Sequence, residues 1–149
     1  MNNDNISTLN SLIETCKDGE QGFRTAAEGL KDPQTKAKFQ EYARQRGDMA
    51  RELQAEVRKL GGDPEKAGSM SGSLHRGWID IKSAITGKDD HAILAEAERG
   101  EDVAKDQYEK ALKAGLTGSA LTIVQTQSAK VRQAHDDVRN MRDREKVTK

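Results

Sequence analysis

The chain has 149 residues, enough for about one domain with a continuous core. Hydrophobic residues make up 34% and charged residues 34%, yet 25 Lys and Arg are matched by 25 Asp and Glu; this excludes charge-driven disorder and leaves no basic surplus for nucleic acid. No stretch approaches the roughly 20 apolar residues of a membrane span, and the start, Met1-Asn-Asn-Asp-Asn5, lacks the basic and apolar regions of a signal peptide, so a cytoplasmic protein with no membrane or nucleic-acid partner is expected.

The first helix is predicted over about 6–31, where Leu9, Ile13, Cys16, Glu20, Phe23, Ala27 and Leu30 recur at spacings of three and four. Asp32-Pro33 ends it and starts the next: Asp32 is a capping residue, and proline at the first helical position loses no needed N–H. The second helix, about 34–60, carries the stripe Phe39, Tyr42, Ala43, Arg46, Met49, Leu53, Val57 and Leu60, and stops at Gly61-Gly62-Asp63-Pro64. So short a connection makes the two an antiparallel hairpin.

Residues 61–89 form a long connection. It opens with the Gly/Ser stretch Gly68 to Ser73 and continues with Leu74, Trp78, Ile81 and Ile85 at helical spacing, as in a short amphipathic helix laid across the bundle. A third long helix is predicted over about 90–114, with Ile93 or Leu94, Ala97, Glu101, Ala104, Tyr108 and Ala111 inward and Gly115 closing it. A fourth, about 118–143, is capped by Thr117 or Ser119 and carries Leu121, Val124, Ser128, Val131, Ala134 or His135, Val138 and Met141. The expectation is an all-α, single-domain four-helix bundle over residues 1–149. Its one long crossover lets the third long helix run parallel to the second, the feature that separates ferritin-like bundles from simple up-and-down ones.

Counting from the helix ends puts Glu20, Arg46, Glu101 and Val131 at one level, with Gln127, Ser128 and His135 a turn away. Two carboxylates facing each other in a low-dielectric core need a cation, a proton or hydrogen bonds. Either a metal ion or Arg46 can supply the charge. Arginine carries a fixed fork of donors suited to bridging carboxylates and is always ionised, which favours a buried ionic layer of Glu20, Arg46 and Glu101 over a metal site.

Three segments, Leu9 to Phe23, Leu74-His-Arg-Gly-Trp78 and Glu98-Arg-Gly-Glu-Asp102, together resemble the short bacterial ferritin-like four-helix-bundle proteins catalogued as a domain of unknown function. The resemblance implies the fold over about 6–142 and a link to stress physiology, and no established activity. In the wider ferritin-like group the metal ligands are a Glu on each of helices 1 and 3 and Glu-x-x-His on helices 2 and 4. Glu20 and Glu101 match the first pair. The comparable stretches on the other two helices are Gln45-Arg-Gly-Asp48 and Gln127-Ser-Ala-Lys130, so a six-ligand di-iron centre is not expected. A single iron, manganese or zinc ion held by Glu20 and Glu101, with help from Asp48, Gln127 or His135, is the alternative.

Cys16 is expected to be a small buried hydrophobe, with no His at short spacing to activate it; as a lone cysteine it allows no internal disulfide and fits a reducing compartment. Trp78 is expected to pin the crossover to the bundle, His91 to be solvated, and Gly19, Gly22 and Gly47 to mark close helix approach or room for a ligand. No triad, P-loop or dinucleotide fingerprint is present. The expected function is therefore that of a non-catalytic bundle acting by self-association, as a homo-oligomer, or through a protein partner. The competing readings are a metal-binding protein or weak oxidase using Glu20 and Glu101, and a bundle whose Leu74 to Ile85 helix is a movable lid or docking strip.

Overall fold

The structure, a computed structural model, describes residues 2–66, 78, 80–86 and 89–147. The Gly68 to Ser73 stretch, Leu74 and His75 lie outside the described residues. Five helices follow in chain order: α1 Asn2–Gly29, α2 Pro33–Lys59, α3 Ile81–Thr86, α4 Asp90–Leu112 and α5 Gly118–Val147. Among the described residues there is no strand, so the protein is all-α.

Local chemistry sets the helix ends. Asp32 adopts an extended backbone and its carboxylate accepts from the Thr35 amide at 3.0 Å and the Thr35 hydroxyl at 2.7 Å, with Pro33 as the first residue of α2. At the other end Gly61 takes φ +86°, the Gly61 amide donates to the Arg58 carbonyl at 3.0 Å and the Gly62 amide to the Val57 carbonyl at 2.9 Å. This is a Schellman cap, and only glycine enters that backbone region freely. Asp89 caps α4 through the His91 amide at 3.0 Å. Of the two cap candidates for α5, Ser119 lies inside the helix and its hydroxyl donates to Glu56 Oε2 at 2.8 Å, whereas Thr117 directly precedes the first helical residue, Gly118, and its carbonyl accepts from the Leu121 amide at 3.4 Å.

The apolar stripes assemble into two clusters, one at each end of the bundle. One joins Leu9, Leu12 and Cys16 of α1 to Met49, Leu53 and Val57 of α2, Tyr108 and Ala111 of α4, and Val124 of α5. The other joins Phe23 and Leu30 of α1 to Phe39 and Tyr42 of α2, Ile93 and Ala97 of α4, and Val138 and Met141 of α5. Early α1 therefore meets late α2 and late α4, so α2 and α4 both run opposite to α1 and parallel to each other. The Asp90 carboxylate, at the start of α4, accepts from the Lys31 amide at 3.0 Å and the Asp32 amide at 3.1 Å. It ties the second hairpin to the turn of the first, and the connection after α2 returns the chain along the bundle to that end.

The described part of this connection rests on α1 and α4. Trp78, 8% exposed, packs edge-on to Phe23 with ring centroids 5.0 Å apart. The indole fills space that a Cβ at Gly22 or Gly100 would occupy, and Ile85 covers Gly29 so closely that a Cβ there would meet its own Cβ at 2.5 Å. Glycine inside a helix costs about 1 kcal/mol relative to alanine; here the missing side chains form the bed on which the crossover lies.

Candidate functional site

Between the two apolar clusters lies a band of polar side chains. Arg46, at the middle of α2, is 1% exposed and its Nη2 donates to Oε1 of Glu101 on α4, which is 0% exposed. The guanidinium carbon also stands 5.3 Å from the Phe23 ring centroid, a cation–π contact. Burial pushes the Glu101 carboxyl upward against the opposing pull of Arg46. Burial likewise works against the charge on Arg46, but Glu101 holds the guanidinium above its ordinary value, so the arginine stays ionised. Among the described residues, Glu101 Oε2 and Arg46 Nε and Nη1 have no hydrogen-bond partner.

The structure brings Arg46 and Glu101 together and sets Glu20 apart from them. The inward position of α1 between Cys16 and Phe23 is Gly19, which is buried, whereas Glu20 is half-buried. Glu20 Oε2 accepts from Arg24 Nη2 at 3.0 Å and lies over Gly47, where a Cβ would come within 2.6 Å of it. It borders an open cleft on the α1/α2 seam with Arg44 and Arg51. Asp48, exposed, is engaged by the same two arginines.

On α5 the inward residue is Gln127, 0% exposed, in place of the expected Ser128, which is half-buried; Val131 is also 0% exposed. Tyr108 donates its hydroxyl proton to Gln127 Oε1 at 2.7 Å, and Gln127 Nε2 donates to the Met49 carbonyl at 3.2 Å and Glu52 Oε1 at 2.7 Å. Since the Tyr108 proton is committed, Cys16 must donate its S–H to Tyr108 Oη, 3.0 Å away. Burial pushes the thiol up to about 11, so Cys16 is a protonated link in this chain and not a nucleophile.

A second group of polar side chains lies about two turns beyond Gln127 on α5. His135, 4% exposed, has Nδ1 at 3.1 Å from Asp136 Oδ1 and Nε2 at 2.6 Å from Asp102 Oδ1. Glu98, Asp102 and His135 each offer one ligand atom, all within 4.8 Å of one another, and Arg142 pairs with Glu98. Glu98 and Asp102 are i,i+4 neighbours on α4, a spacing visible in the sequence. Their meeting with His135 depends on how α4 and α5 pack. His91, half-buried, starts α4 with its amide on Asp89.

The class of protein is thus an all-helical bundle with a long crossover and an arginine–glutamate pair at its centre. The chain belongs to the family described as a domain of unknown function, DUF2383, whose family model matches residues 4–114. That match spans α1 to α4. No curated protein matches the chain significantly. Among the described residues, no helix is long and apolar enough to cross a membrane.

Proposed function

We propose that this chain is a non-catalytic, ferritin-like bundle that acts by binding, to a second copy of itself or to a protein partner. The parallel course of α2 and α4 after one long crossover supports the ferritin-like reading. The observation that carries the functional reading is the Arg46–Glu101 pair. In ferritin-like metal proteins carboxylates on facing helices converge on a cation at this level. Here Glu101 faces a guanidinium, and Glu20 is bonded to Arg24 at the seam. A metal at the centre would have to displace or sit beside a fixed positive charge, so these residues do not fit one. With Cys16 held as a thiol, the polar band stabilises the bundle and performs no chemistry, which leaves the outer surface as the working part. The lone, buried thiol supports a reducing, cytoplasmic setting.

The test pairs sedimentation velocity with oxygen uptake after anaerobic Fe(II) loading, on the wild type and Glu101→Gln. Concentration-dependent association, with oxygen uptake no faster than in protein-free buffer, is the expected result. Fe(II) oxidation that is lost in Glu101→Gln would overturn the reading in favour of a core metal.

A further inference from the structure

Hydrogen-bond arithmetic at His135 leaves a charge to be accounted for. A neutral imidazole has one N–H, yet both ring nitrogens face carboxylates, Asp136 at Nδ1 and Asp102 at Nε2. If Nδ1–H donates to Asp136, the lone pair on Nε2 points at the Asp102 oxygen across 2.6 Å, a separation bridged by a proton; a cation held roughly 2.0–2.2 Å from each ligand atom would replace that proton as the two atoms draw apart. Glu98 brings a second carboxylate to the same place, one turn before Asp102 on α4. An independent observation lies next to the cluster. Glu101 is fully buried, its carboxyl interacts electrostatically with both His135 and Asp102, and its Oε2 has no hydrogen-bond partner among the described residues.

We propose that Glu98, Asp102 and His135 form a binding site for a divalent transition-metal cation of the zinc class, separate from the central Arg46–Glu101 pair. One imidazole nitrogen and two carboxylate oxygens are borderline-hard ligands of the kind Zn(II) accepts, and three protein ligands leave a position for water. Asp136 is the orienting group: by accepting from Nδ1–H it fixes the tautomer that presents Nε2 to the metal, the usual carboxylate–histidine–metal relay. Asp102, whose side chain is 62% exposed, opens the site to solvent. Arg142 is the resident competitor. Its guanidinium holds Glu98, and with a side chain 32% exposed it can swing outward when a metal takes that carboxylate. Two further cations act on Asp136: Arg139 Nη2 stands 3.6 Å from its Oδ1, and Lys105 interacts with the same carboxylate electrostatically.

The experiment is calorimetric titration of the full-length protein with zinc chloride, repeated with Co(II) to read d–d absorption, on wild type, Asp102→Asn, His135→Gln, Asp136→Asn and Arg142→Gln. Circular dichroism melts confirm that each variant is folded; Asp102 and Arg142 are surface-accessible, so those two keep the test usable should His135→Gln unfold. One ion per chain is expected, weakened at least about 10-fold in Asp102→Asn and in His135→Gln, and about 10- to 100-fold in Asp136→Asn, the range for loss of a ligand-orienting group. Arg142→Gln is expected to bind several-fold tighter, since the competing charge is gone. Absence of saturable binding would overturn the proposal, as would binding that survives both Asp102→Asn and His135→Gln. Glu101→Gln is expected to retain zinc, which separates failure of this site from failure of the proposed function.

Discussion

Gly19 lies against the guanidinium of Arg46: a Cβ at residue 19 would stand 2.9 Å from Nη1 and 3.4 Å from Cγ. The arginine is enclosed on all sides and cannot yield as a surface side chain would. Gly19→Ala should gain about 1 kcal/mol of helix propensity and lose more by displacing a buried ion pair. A net destabilisation of about 2 kcal/mol is expected in urea titrations, and a stabilised variant would show that Arg46 has room to move.

Removing one partner of the pair should hurt more than removing both. Arg46→Ala strands Glu101 in the core and is expected to cost about 3–5 kcal/mol, whereas Arg46→Met combined with Glu101→Leu, which fills the same space with apolar atoms, should be near neutral or stabilising. A double-mutant cycle by chemical denaturation measures the difference.

Trp78 is the protein's one tryptophan, so its fluorescence reports only on the seat of the crossover. Gly22→Ala or Gly100→Ala should lift the indole from its bed and shift its emission to longer wavelength, with the far-ultraviolet helical signal retained. Trp78→Ala should cost about 3 kcal/mol, at the low end for a large buried aromatic, because the crossover can settle partly into the gap.

Cys16 provides the pH-dependent prediction. Its thiol titrates at about 11 in the folded protein against an ordinary 9.0, so the protonated form is favoured by folding. The corresponding stability is complete below pH 9 and is lost as pH rises through about 11. Wild type should therefore lose stability between pH 9 and 11 more steeply than Cys16→Ala. At pH 8 the folded thiol should react with a disulfide reagent at least about 100-fold more slowly than the urea-unfolded chain, the ratio of thiolate fractions for a two-unit difference.

The helix ends were legible because their chemistry is local: Asp32-Pro33 and Gly61-Gly62 each state a cap within three residues. The facing of α1 was not. Spacings of three and four from Cys16 to Phe23 are satisfied through either Gly19 or Glu20, and a glycine carries no hydrophobic signal; the bulk of Arg46 on the neighbouring helix decides for Gly19. Gln127 and Ser128 posed the same ambiguity on α5, settled by the hydroxyl of Tyr108. Glu98 and Asp102 stand beside the α4 stripe, and their partner His135 follows Asp102 by 33 residues. No spacing rule joins residues on different helices, so that cluster emerges only from packing.

Arg46 is the middle residue of Pro33–Lys59 and Glu101 the middle residue of Asp90–Leu112. Turning α4 end over end would leave Glu101 at the same height, still opposite Arg46. The buried ion pair of the core is therefore blind to chain direction, and a sequence with the same core could thread in two senses. What distinguishes them is the connection after Gly61, long enough to travel the length of the bundle, and Asp90, whose carboxylate accepts from the Lys31 and Asp32 amides. Shortened to the length of a hairpin turn, that connection would rebuild the protein as its own topological isomer, with the arginine–glutamate pair intact.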